Sequence, residues 1–153
     1  MEYIIQLGKN AKSAQVTLAD ASTALKNSAL TAISSALIEN KQELIDANAI
    51  DLANGKANGM SDSLLDRLAL SESRIKDIAD SVLEIVALPD PVGVVKNGST
   101  RPNGLNIEKV AVPIGVIAVI FEARPNVTAD AAAICLKAGN SVILKGGKEA
   151  INS

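Results

Sequence analysis

A chain of 153 residues has the length of one domain. Its apolar content is 48% but its aromatic content only 1%, so a core must be assembled from Ile, Leu, Val and Ala. Fifteen basic and 17 acidic residues are interspersed and leave a net charge of −2, which excludes the basic stripe of a nucleic-acid binder and an acidic tail.

The first half reads as helical. Asn10–Leu18 continues a first helix. Ser22 is placed to cap a second, with Leu25, Ala29, Ala32, Ile33, Ala36 and Leu37 along one face. Leu44, Ile45, Asn48 and Leu52 mark a third, expected to stop near Gly55, and Asn54–Ser61 reads as a polar loop. Ser71 precedes the clearest periodicity, in which Ile75, Ile78, Ala79, Val82 and Val86 recur at helical spacing until Pro89. The charged runs at Glu39–Glu43 and Arg74–Asp80 read as solvated faces or helix junctions.

Between Pro89 and Pro113 the pattern changes to strands and turns. Asn97-Gly98 and Asn103-Gly104 are both hairpin-type turn signals. Leu105, Ile107, Lys109, Ala111 and Pro113 alternate with Asn106, Glu108, Val110 and Val112, a mixed pattern that predicts partial cover on both faces. From composition and pattern alone this is an ordinary surface hairpin.

The stretch from Val112 to Ala150 predicts a strand, a helix and a second strand. Val116–Phe121 is apolar on both faces, as a parallel strand covered by helices on each side requires. Val127–Ala138 is Ala-rich, with Thr128 or Asn126 as N-cap and Gly139 at its C-terminal stop. Ser141–Lys145 is the next strand, closing a βαβ unit. Ligands of open parallel sheets bind beyond the carboxyl ends of the strands. Glu122-Ala123-Arg124-Pro125-Asn126 and Lys145-Gly146-Gly147-Lys148 fall there, and the glycines and lysines suit a phosphate. Neither GxGxxG nor GxxxxGK[ST] is present, so the chemistry alone specifies only a weak phosphate or nucleotide site.

No apolar run reaches the roughly 20 residues of a membrane span. Met1–Asn10 lacks a signal-peptide core, nothing reads as an Arg-rich transit peptide, and one cysteine excludes an internal disulfide framework. The cytoplasm is the expected compartment. Cys135, toward the end of its helix among apolar neighbours, reads as an inert core residue, and without histidine no Cys–His pair can form. No metal site is expected.

The run PIGVIAVIFEARPNVTADAAAICLKAGNSVILKGGKEAINS, and within it ARPNVT followed by LKAGNSVILKGGKEA, resembles the signature region of the glutamate-5-semialdehyde dehydrogenase (γ-glutamyl phosphate reductase) family, a branch of the aldehyde dehydrogenase superfamily. The N-terminal helices and RPNGLNIEKVAVPIGV fit the same family. The resemblance implies an α/β fold of aldehyde-dehydrogenase type: N-terminal helices, a β-hairpin excursion over residues 90–113 toward an oligomerisation element, then the first βαβ of a Rossmann-like nucleotide-binding domain. Residues 1–153 would be the N-terminal part of the NADP-binding domain. Family members continue past this point, with the catalytic domain and its cysteine in the later part.

The same resemblance implies NADPH-dependent reduction of γ-glutamyl phosphate to glutamate 5-semialdehyde and phosphate, in proline biosynthesis. A cysteine thiolate accepts the acyl group, phosphate leaves, and hydride converts the thioester to the aldehyde. Asn126 matches the asparagine that helps hold the thiohemiacetal oxygen, although Asn at this position is also a good N-cap. Lys145 matches a lysine against the adenosine ribose of the coenzyme, with Gly146 and Gly147 beside it. Lys148 stands where many NAD-dependent relatives carry a carboxylate, and two lysines favour a 2′-phosphate and hence NADP(H). Arg124 is a candidate for the acyl phosphate or the substrate carboxylate, against a structural pair with Glu122 or a backbone carbonyl. A homo-oligomer and association with glutamate 5-kinase are the implied partners. The alternatives are another aldehyde or acyl dehydrogenase of the superfamily, or a truncated non-catalytic assembly module.

Overall fold

The computed structural model describes residues 2–122 and 124–153. Helices α1 (Glu2–Ala19), α2 (Thr23–Glu39), α3 (Lys41–Ala57), α4 (Asp62–Leu68) and α5 (Glu72–Ala87) come first. An antiparallel hairpin follows, β1 (Val95–Thr100) with β2 (Asn106–Val110), and then β3 (Val116–Ile120), α6 (Asn126–Lys137) and β4 (Ser141–Lys145). A 3-10 turn spans Lys148–Ala150.

Ser22 caps α2, its hydroxyl accepting from the Leu25 N–H at 3.2 Å, and Ser71 caps α5 by the same bond to Arg74. The face that α2 buries is rotated from the expected one. Lys26, Leu30 and Ser34 are buried and Ile33 and Leu37 half-buried, whereas Leu25, Ala32 and Ala36 are exposed. Two polar side chains sit on the inner stripe because each meets a partner there: Lys26 Nζ lies 2.6 Å from the Asp90 carboxylate, and the Ser34 hydroxyl donates to the Ala79 carbonyl of α5 at 2.9 Å. Leu30, Val82 and Ala133 form the core that joins α2, α5 and α6. The buried Lys137 ammonium closes its edge, donating to Asn27 Oδ1 at 2.7 Å and the Val86 carbonyl at 2.9 Å.

Gly55 does not end α3. It is buried inside the helix, where a Cβ would stand 3.1 Å from a Leu65 methyl, so its smallness admits α4. The stop comes at Gly59, in the left-handed region at φ +74°. The expected loop over 54–61 is therefore helical through Ala57, and α4, seven residues long, was not anticipated. Asn48 ties these helices together, donating to the Leu68 carbonyl at 2.8 Å and accepting from the Leu70 N–H at 2.7 Å.

One of the two hairpin signals turns the chain. Gly104 (φ +84°) closes the loop between Arg101 and Leu105, while Asn97-Gly98 lies within β1 beside a register irregularity between Val95 and Asn97. Every residue of β1 and β2 is exposed, so the expected partial cover is absent from the strands and is found only just beyond them, at the half-buried Ala111 and Pro113.

β3 and β4 pair in parallel, from Val116 opposite Ser141 to Ile120 opposite Lys145. Gly139 (φ +71°) ends α6, and a Cβ there would come within 2.9 Å of Pro113; Asn140 Oδ1 then accepts from the Gly115 N–H at 2.8 Å and brings the two strand starts together. α1 docks on this unit through a buried amide: Gln15 donates to the Gly139 carbonyl and accepts from the Ser141 N–H. β3 is covered on one side only, with Ala118 and Ile120 exposed, the latter 76%. Full cover on both faces was expected.

Candidate functional site

Two segments leave the carboxyl ends of the paired parallel strands. The Phe121 N–H donates to the Lys145 carbonyl at 3.1 Å, extending the ladder by one step and setting both segments at one edge. After β4, Lys145, Gly146 and Lys148 are exposed and Gly147 is half-buried. A Cβ at Gly146 would touch the Phe121 ring at 3.6 Å, and one at Gly147 would collide with the Glu149 carboxylate. The cradle thus has reachable backbone and two ammonium groups against one folded-over carboxylate. Its chemistry fits an anionic group of phosphate type.

After β3, Ala123 lies outside the described residues. Pro125 is helical (φ −56°, ψ −34°), so α6 begins at Asn126 without an extended residue whose side chain could fold back. Neither Asn126 nor Thr128 is the N-cap expected from the sequence; the first turn is closed by backbone bonds from Val127 to Arg124 and from Thr128 to Pro125. The Asn126 amide instead donates to Asp130 Oδ2, one turn further along α6, at 3.0 Å. An amide nitrogen carries two hydrogens, so one is left for a ligand.

Arg124, Pro125, Asn126 and Asp130 line an open cleft of about 390 Å³. Its opposite wall is α4 and α5, with Arg67, Arg74, Asp77 and Ser81. Arg74 is fixed there: it pairs with the Asp66 carboxylate at 2.8 Å and donates to the Asp66 and Ala69 carbonyls. Arg67 and Arg124 have no ion-pair partner among the described residues, so the expected alternative of an Arg124–Glu122 pair is not formed. The structure therefore brings Arg124 and Asn126 into one cleft, while Lys145, Gly146, Gly147 and Lys148 stand outside its lining. The far wall was missed in sequence because no short motif joins residues 67 and 77 to residue 126. The spacing of Asn126 and Asp130, which puts them on one helix face, was the one available signal.

A second, largely apolar cavity of about 290 Å³ lies behind Pro125 and Thr128, between α2, α3, α5 and α6. Cys135 is 6% exposed and burial pushes its thiol pKa up, which leaves it protonated and unreactive, as expected. Among the described residues no cluster of His, Cys, Asp and Glu is placed to hold a metal, and no helix is long and apolar enough to cross a membrane.

No family model matches the chain. A gamma-glutamyl phosphate reductase of Syntrophomonas wolfei is 55% identical to it over 152 residues, 99% of this chain and 36% of that protein. One of Mesorhizobium japonicum is 53% identical over 96% of this chain and 34% of that protein. The crystal structure of the gamma-glutamyl phosphate reductase of Thermotoga maritima superposes with a TM-score of 0.95 at 39% identity, covering 97% of this chain and 36% of that one. A probable aldehyde dehydrogenase from Listeria monocytogenes, at 20% identity and a TM-score of 0.70, has the same fold. The chain spans about a third of the length of the curated relatives it matches.

Proposed function

We propose, from the premise that this chain corresponds to the N-terminal portion of the gamma-glutamyl phosphate reductase family, that it supplies the coenzyme-binding and oxyanion side of an enzyme reducing γ-glutamyl phosphate to glutamate 5-semialdehyde. The observation that carries this reading is the 55% identity along 99% of the chain. The placement of Asn126 and of Lys145–Lys148 at the carboxyl ends of two paired parallel strands supports it.

Each role follows from position. The free N–H of Asn126 points its chemistry at a developing oxyanion, where one such donor contributes about 2.7–4 kcal/mol to a transition state. Arg124, exposed, lining the same cleft and without an ion pair among the described residues, is suited to a substrate anion. Lys145 would meet the adenosine ribose of NADPH and Lys148 its 2′-phosphate, with Gly146 giving close approach; when bound, that coenzyme is the source of the hydride. The 2′-phosphate preference rests on Lys148, an ammonium where a carboxylate would select against it. The nucleophile is assigned to the part of the enzyme beyond these 153 residues, since Cys135 is the one cysteine here and is buried. The exposed hairpin β1–β2 supports the further reading that residues 90–113 pack against a partner subunit in a homo-oligomer. A cytoplasmic location and a kinase partner go with the family reading. Of the two alternatives, a different dehydrogenase of the superfamily has only the fold likeness behind it.

The test is a chimaera in which these residues replace the matching N-terminal third of the Syntrophomonas wolfei relative, assayed for phosphate-dependent oxidation of glutamate 5-semialdehyde with NADP. Asn126→Ala is expected to lower kcat by about 10²–10³ with the KM little changed. An unchanged kcat would remove Asn126 from the catalytic machinery.

A further inference from the structure

We propose that the cleft between α6 and α4–α5 is the subsite for the amino-acid end of the substrate, with Asp130 taking its α-ammonium and Arg67 its α-carboxylate. This rests on the reductase reading and adds the residues that would select an amino acid over a simple acid. Asn126 sets the geometry. If its amide holds the oxygen on C5 of the substrate, the α-nitrogen and the carboxylate carbon each lie four bonds from C5. That is about 5 Å in extended geometry, since three bonds between consecutive Cα atoms already span 3.8 Å. Asp130 is four residues beyond Asn126 on the same face of α6, about 6 Å along the helix. A substrate anchored at Asn126 and lying along α6 therefore puts its charged end beside Asp130.

The charges in the cleft suit a zwitterion. Asp130 is half-buried and gives one carboxylate oxygen to Asn126 at 3.0 Å, while a carboxylate has about four acceptor sites to offer. On the far wall Arg74 is already committed to Asp66, whereas Arg67 is not ion-paired among the described residues and faces the same space with its planar fork free for a carboxylate. Asp77 lines the same wall and adds negative potential to the cleft. A cleft meant only for an anion would not place Asp77 and Asp130 on opposite walls.

Two aldehydes separate the roles in the chimaera: glutamate 5-semialdehyde, and 5-oxopentanoate, which has the same chain and carboxylate but no ammonium. Asp130→Asn keeps an oxygen for the Asn126 amide and removes only the charge. It is expected to raise the KM for the amino aldehyde about 10- to 100-fold more than that for 5-oxopentanoate, the loss of one charge-assisted hydrogen bond that only the amino aldehyde makes. Arg67→Gln is expected to raise both. Equal effects of Asp130→Asn on the two aldehydes would overturn the inference and leave the reductase reading standing; turnover of neither aldehyde by the folded, unmutated chimaera would overturn both. If the chimaera does not fold, the same comparison is made on this chain by NMR titration with L-2-aminobutyrate and with glutarate. Shifts at Asp130 and Arg67 that saturate first with the amino acid support the proposal, and equal or absent response to the two contradicts it.

Discussion

Lys148 shows how much one side chain can decide. At the end of a parallel strand, an exposed ammonium attracts a phosphate and a carboxylate repels one, so on the proposed reading the sign of this residue would set which coenzyme is favoured. In the chimaera, Lys148→Glu is expected to weaken NADPH relative to NADH, read as the ratio of the two kcat/KM values; an unaltered ratio would assign the preference elsewhere. The place of Lys148 just past the strand end was legible from sequence because its surroundings are local. Asn126 was only half legible. A strand followed by a helix pointed to its position, but Asn serves equally as a cap, and the choice depended on Pro125 entering the helical region and opening α6 one residue earlier. Arg67 and Asp130 were not legible as a pair, because the cleft exists only once α4 packs across from α6.

Between elements, the misread positions share a cause: polar groups buried with partners distant in sequence. α2 turns toward the core on Lys26 because Asp90, beyond α5, receives its ammonium. Burial by itself would raise the Asp90 pKa, but the Lys26 ammonium, the Thr23 hydroxyl and the Val92 N–H together hold it down, from 3.8 to about 2. A carboxyl whose folded pKa is depressed stabilises the fold above its unfolded pKa and loses that contribution as pH falls through the folded value. Stability from this pair should thus be complete at neutral pH and drain away between about pH 4 and pH 2. Lys26→Ala, which strands the carboxylate, is expected to cost about 3–5 kcal/mol in denaturant unfolding and to flatten that acid limb. Loss of less than about 1 kcal/mol would mean that water reaches Asp90 freely. Gly139 is the counterpart in backbone terms, where the sequence correctly marked the helix stop. Its φ of +71° and the nearness of Pro113 leave no room for a Cβ, so Gly139→Ala should destabilise by about 1–3 kcal/mol. A neutral result would mean that the α6–β4 junction relaxes without strain.

At the scale of the molecule, the two halves of the chain differ in how complete they are. The helices α2, α5 and α6 close a core of their own around Leu30, Val82 and Ala133. The sheet does not: Ile114 and Ile120 are largely exposed beside two paired strands, and the hairpin β1–β2 stands free. The order of elements, the parallel pairing of β3 with β4 and the location of both site segments were legible, since hydrophobic runs, helical spacing and a Gly stop are local properties. The exposure of the hairpin agrees with the surface hairpin that composition and pattern suggested, while the partial cover read from its alternation did not form, because alternation records which faces differ and not what covers them. An open sheet edge is where further strands or another chain would add, and the relatives are nearly three times as long.

The measurement that bears most directly on this account is turnover by the chimaera, set beside this chain alone and the remaining two thirds of the relative alone. NADPH formation from glutamate 5-semialdehyde and phosphate is expected of the chimaera and of neither part. A correctly folded chimaera with no such activity would contradict it, and so would turnover by these 153 residues on their own.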